Sequence, residues 1–232
     1  IMKFLINPNR FNILSSLIIK PLFYICLISL FFGLFFSLFL SPNDYQQGAS
    51  VRIMYVHVPS AWLSLLTFFI MTIYSIIGLS FKTPFCFIVN SAVAPIGAVF
   101  TLICLITGSL WGKPMWGTWW VWDARLTSVA ILLLIYLIII FINYSFDNIN
   151  IKEKITAIFI IIGSINLPII KYSVDWWNTL HQPASISRLG SSSIDVSMMK
   201  PLLLMTLSFA LIGFLIALLR IKSEIISRKI KL

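Results

Sequence analysis

Apolar runs about twenty residues long, separated by short polar stretches, set the plan of the chain. They lie near residues 21–40, 58–79, 86–110, 127–146, 155–171 and 200–220. A helix needs roughly 20 apolar residues to cross a bilayer core, so the pattern predicts an all-α polytopic membrane protein with six transmembrane helices. The fifth run is short and holds Asn166 and Pro168, which predicts a kink or an extension into the residues that follow. Composition agrees with one membrane domain over 1–232: 59% of the residues are hydrophobic, 10% are charged, and mean hydropathy is +1.00. Lys3, Arg10 and Lys20 give the first run the look of a signal peptide. That run is too long, and no small-residue cleavage site follows at Ser41-Pro42-Asn43, so it is expected to remain as the first span.

A net charge of +10 raises the question of nucleic acid, but the basic residues are scattered between apolar runs and build no stripe on a soluble domain. Membrane orientation accounts for them better. Six spans put both termini on one side, which carries Lys3, Arg10, Lys20, Lys82, Lys152, Lys154, Arg220, Lys222, Arg228, Lys229 and Lys231, 11 of the 17 Lys and Arg. The other side carries Arg52, Lys113, Arg125, Lys171, Arg188 and Lys200. The positive-inside rule then places both termini inside, in a bacterial cytoplasm or a mitochondrial matrix. Loops 41–57, 109–126 and 172–199 face outward, toward periplasm or intermembrane space, and the chemistry is expected there. Cys26, Cys86 and Cys104 lie far apart in apolar runs and predict neither a disulfide framework nor a CxxC pair.

The outward loops hold the residues that stand out chemically. The chain has only two histidines, His57 and His181, and topology puts both at one face. Either alone reads as an interfacial hydrogen-bonding residue; two on one face point to a pair. A zinc site wants three or four ligands, and Asp44, Asp123, Asp175 and Asp195 show no HExxH-like spacing to either histidine. Haem iron needs only two axial ligands, and without a CxxCH any haem would be held non-covalently. Between the histidines lies WGKPMWGTWWVWDARLTS, which packs Trp111, Trp116, Trp119, Trp120 and Trp122, five of the eight tryptophans, into twelve residues ahead of Asp123 and Arg125. An interfacial aromatic belt explains one or two indoles per helix end. Five suit a surface that stacks on a flat apolar disc.

Local geometry adds expectations. Gly112, Pro114 and Gly117 predict a turn along the membrane surface in place of regular helix. Thr118 is a candidate N-cap, after which Trp119 and Asp123 would share a helix face; a sheet-like alternative aligns Trp120 with Trp122. If 177–181 is helical, Trp177 flanks His181. Pro59 suits the first turn of the second span. Arg52, Lys113, Arg125 and Arg188 are the outward cations available to haem propionates, or to solvent and lipid phosphate.

These residues carry a resemblance. The tryptophan segment is similar to the WWD motif of the haem-handling superfamily, and SPNDYQQGASVRIMYVHVPSAW, APIGAVFTLICLITGSLWGKPMWGTWWVWDARLTS and NLPIIKYSVDWWNTLHQPASIS together resemble the haem exporter protein C (CcmC) family of cytochrome c biogenesis. The resemblance implies a six-helix membrane protein that presents haem b outside, with His57 and His181 as axial iron ligands and Trp111 to Asp123 cradling the macrocycle. It implies delivery to the haem chaperone CcmE, in company with an ABC ATPase, a second membrane subunit and a small helper membrane protein. The chain itself is then a delivery protein and not an enzyme. Rival readings are a haem lyase acting on apocytochrome c, for which the chain is short, and a permease for an amphipathic solute, which would not need the histidines. An electron-transfer cytochrome b would place its histidines at membrane depth. No phosphate loop or catalytic triad is present in the sequence.

Overall fold

The apolar runs become helices that outlast them at most ends, because backbone hydrogen bonding continues past the point where side chains turn polar. The computed structural model describes residues 8–181 and 194–230. Helix α1 (Pro8–Phe35) ends in a single π turn, Phe36–Leu40. A 3₁₀ turn, Ala49–Ile53, leads into α2 (Met54–Phe81), followed by α3 (Pro84–Trp116) and α4 (Ala124–Ser145). The fifth run is split into α5 (Ile149–Gly163) and α6 (Asn166–Trp176), and α7 (Val196–Ile230) completes the order. Six stretches are long and apolar enough to cross a membrane, α5 and α6 counting as one, and no strand occurs among the described residues.

Each junction has a local cause. Lys82 turns left-handed at φ 50° to close α2, its N–H bonded to the Gly78 carbonyl, and Pro84 opens α3, where a missing N–H costs nothing. The break between α5 and α6 falls just before Asn166, whose side-chain amide donates to the Ser128 carbonyl of α4 at 2.8 Å. Pro59 lies six residues into α2, deeper than the first turn predicted for it, because the chain is already helical from Ala49.

Helices α2 and α3 form the centre, with α4, α5 and α7 packed around them and α1 lying along α7. Lipid is as apolar as leucine, so helices associate through close packing and interhelical hydrogen bonds. Both are present. Gly97 of α3 lets the fully buried Tyr136 of α4 lie against its backbone, and the Tyr136 hydroxyl donates across to the Ser64 carbonyl of α2 at 2.7 Å. Arg228 pairs with Glu153 and Glu224 at one end of this bundle. At the other end α2, α4 and α7 begin and α1, α3 and α6 finish, so six helix termini converge there.

Candidate functional site

Those termini enclose a cavity of about 1070 Å³, at the upper end of the roughly 300–1,000 Å³ of small-molecule sites. Residues 42–47 form one of its walls.

His57, buried on α2, reaches it from the second helical turn with Nδ1 3.0 Å from the Cys104 carbonyl and 3.1 Å from Thr107 Oγ1. A carbonyl only accepts, and the Thr107 hydroxyl gives its own proton to the Ile103 carbonyl at 2.6 Å. Nδ1 therefore carries the hydrogen, and the Nε2 lone pair is left for a ligand, the arrangement that fixes metal-binding histidines. Gly108 permits this contact: a Cβ there would sit 3.0 Å from His57 Cε1. Neither Thr107 nor Gly108 was distinguishable within its apolar run.

His181 arrives from the segment after α6. Its ring centroid lies 6.3 Å from that of His57, with the planes inclined by 22°. Trp111 meets His57 edge-on at 5.7 Å and 77°, and Trp116 meets His181 at 5.6 Å and 73°. The predicted flanking of His181 by Trp177 does not occur, because α6 ends at Trp176 and Trp177 is extended. The predicted turn at Gly112–Gly117 is also corrected. Helix α3 runs on to Trp116, since Pro114 near its end removes only one backbone bond, and the helix stops at Gly117, whose φ of 78° suits a residue without Cβ.

Three of the five clustered tryptophans, Trp111, Trp116 and Trp120, line the cavity. The Trp120 indole N–H is buried without a partner. Trp119 and Trp122 lie outside it, 53% and 79% exposed, the first beneath Lys113 Nζ at 5.8 Å and the second edge-on to Trp120 at 5.4 Å. Residues 118–123 are neither helix nor strand, so both predicted alignments in this stretch are replaced by an irregular turn. The N-cap of α4 is Asp123, not Thr118; its Oδ1 accepts from the Leu126 N–H at 2.7 Å and its Oδ2 is buried without a partner.

Of the predicted cations, Arg125 lines the cavity. Its Nε donates to Ser173 Oγ at 3.1 Å and its Nη2 to the Ile170 and Lys171 carbonyls at 3.4 Å. Among the described residues no carboxylate is in direct ion-pair contact with Arg125; those of Asp123 and Asp175 act on its charge from farther away. Lys113 bonds the Gly117 carbonyl at 3.0 Å, Arg52 has a buried Nε without a partner, and Arg188 lies outside the described residues. No three His, Cys, Asp or Glu side chains converge among the described residues, so the two imidazoles do not belong to a four-ligand zinc cluster there.

Burial, with Arg125 and His57 adding to it, pushes the His181 imidazole down to about 3. The folded protein thus keeps this ring neutral while the unfolded chain takes up a proton below about pH 6.5. Stability is expected to fall as pH drops from about 6.5 toward 3, by at most about 1.4 kcal/mol per pH unit from this group. Thermal unfolding in detergent at pH 7.5 and pH 5 checks it: His181→Gln should show a smaller loss than the unmodified protein, and an equal loss would refute the assignment.

Fold and site define a polytopic helical membrane protein with an aromatic cavity that bears two imidazoles at one end of the bundle. Comparison with known proteins supplies the family. The family model described as heme exporter protein C matches residues 1–232, and the chain belongs to that family. It is 48% identical over 227 residues to the heme exporter protein C of Bradyrhizobium diazoefficiens, covering 98% of this chain and 86% of that one. It is 46% identical over 224 residues to a putative cytochrome c biosynthesis ccmC-like mitochondrial protein of Marchantia polymorpha, covering 96% and 95%. The heme exporter protein C of Haemophilus influenzae is 44% identical over 214 residues, covering 92% and 87%.

Proposed function

We propose that the chain binds haem b non-covalently in this cavity and delivers it to the haem chaperone CcmE during c-type cytochrome biogenesis. The observation that carries the reading is the paired imidazoles. Their rings are nearly parallel, and 6.3 Å between centroids is close to what two iron–nitrogen bonds of about 2 Å plus two ring half-widths span. The names of the relatives, heme exporter and cytochrome c biosynthesis, point the same way.

In this reading His57 and His181 are the axial ligands, Trp111, Trp116 and Trp120 flank the macrocycle, and Arg125, which lines the cavity without a direct ion pair among the described residues, meets a propionate. Trp119, Trp122 and Asp123 act differently: the two exposed indoles form the outer surface of the motif, and Asp123 holds its shape by capping α4. Haem supplies the iron; the chain supplies neutral donors, apolar shielding and one cation. A carrier has to let go of its cargo, and a cavity open at one membrane face serves release better than a sealed pocket.

The charge distribution supports both termini inside and the cavity facing the periplasm or intermembrane space, in a bacterial or mitochondrial inner membrane. The partners in this reading are CcmE, an ABC ATPase, a second membrane subunit and a small helper membrane protein. Covalent attachment occurs on the partner, with this chain assisting. The test is co-expression with the chaperone, followed by absorption spectra of both purified proteins. A Soret band with six-coordinate features on this chain, and haem acquired by the chaperone only in its presence, is the expected result. A chain that purifies without haem while the chaperone loads normally would refute the proposal and favour a permease for another amphipathic solute.

A further inference from the structure

We propose that Gln47 is a positioning residue for His57 and acts through the Trp111 indole. The inference rests on the reading that His57 and His181 ligate haem. Gln47 Oε1 lies 2.9 Å from Trp111 Nε1, joining the wall of the cavity to α3 across 64 residues of sequence. An indole N–H only donates, so the amide has to present its oxygen, and its orientation is thereby fixed.

Gln47 is itself held in place. Its backbone N–H donates to Asp44 Oδ1 at 2.8 Å, and Asp44 and Gly48 exchange backbone hydrogen bonds of 3.2 and 2.9 Å on either side of it. Gly48 closes this small loop at φ 56°, and Ser41 at its base is bonded to the Tyr55 hydroxyl of α2. The acceptor is therefore offered from a built loop. Trp111, so anchored, sets the edge-on contact at 5.7 Å and 77° to His57, while Cys104 and Thr107 hold the imidazole from its Nδ1 side. Removing the acceptor leaves an indole N–H unpaired at the wall of a mostly apolar cavity, which favours rotation of the ring and releases one constraint on the His57 plane.

The experiment is electron paramagnetic resonance of the oxidised haem-loaded full chain, whose g-values depend on the angle between the axial imidazole planes. It is run on the unmodified protein, Gln47→Met, Trp111→Phe and the double variant. Gln47→Met is expected to shift the g-values and to weaken haem retention by about 3- to 10-fold, the range of one lost hydrogen bond. In the Trp111→Phe background the same change should add nothing further to either readout. Should Gln47→Met fail to accumulate, Gln47→Ser, too short to reach the Trp111 indole, carries the test: shifted g-values support the proposal and unchanged ones overturn it. A Gln47→Met spectrum identical to the unmodified one, or a shift undiminished in the Trp111→Phe background, overturns the role of Gln47 alone. Bound haem without a two-imidazole signal in the unmodified protein overturns the ligation reading beneath it.

Discussion

Replacing both His57 and His181 by alanine is expected to abolish iron ligation by the protein, and each single replacement to leave a five-coordinate centre with haem retention about 100-fold weaker or worse. Loss of a residue that only orients a metal ligand costs about 10- to 100-fold, so loss of the ligand itself belongs at or beyond that limit. The two singles should differ. His57 is buried in a continuous helix with its Nδ1 doubly engaged, so its removal leaves a walled hole of imidazole size, and added imidazole should restore the six-coordinate spectrum. His181 sits in a non-helical segment, held locally by its own backbone N–H to Thr179 Oγ1 at 3.0 Å, so rescue there should need more imidazole. Absorption titrations measure both constants. Spectra indifferent to either substitution would remove that histidine from the site.

The second large effect concerns the scaffold. A Cβ at Gly97 would clash with Cζ, the hydroxyl oxygen and Cε1 of Tyr136, which is fully buried and bonded through its hydroxyl to the Ser64 carbonyl. Overpacking costs about 1–3 kcal/mol and occasionally more. Displacing the tyrosine also breaks its link to α2, worth about 0.5–1.5 kcal/mol. Folded proteins stand only about 5–15 kcal/mol above their unfolded states. Gly97→Ala is therefore expected to reduce folded protein sharply in detergent thermal unfolding, Tyr136→Phe to cost only the hydrogen bond, and Gly97→Ala with Tyr136→Leu to recover much of the loss. If the double variant were no better than Gly97→Ala alone, the clash would not be the cause.

Much of the molecule was legible before folding because it depends on local properties of the chain. Six apolar runs imply six spans whatever their partners, since an unpaired backbone is too costly in lipid for any other solution. The interruption at Asn166 and Pro168 appeared where a proline denies the helix a donor. The density of indoles and the scarcity of histidine marked the site, because composition alone sets how much flat aromatic surface and how many imidazoles a chain can offer.

Tertiary structure decided what those residues do. That Trp111, Trp116 and Trp120 line the cavity while Trp119 and Trp122 do not follows from where α3 stops and α4 starts. The helix passes Gly112 and Pro114 and ends only at Gly117, and its last turns are tied to non-helical segments by the Trp111 indole bonded to Gln47 and the Ser109 hydroxyl bonded to the Trp119 carbonyl. Thr107, Gly108 and Gln47 were unremarkable in sequence, since each works on a side chain 50 to 64 residues away and nothing local records that distance. Periodicity and composition report what a residue is and which way a helix turns; the choice of partner belongs to packing, which exists only once the helices have met.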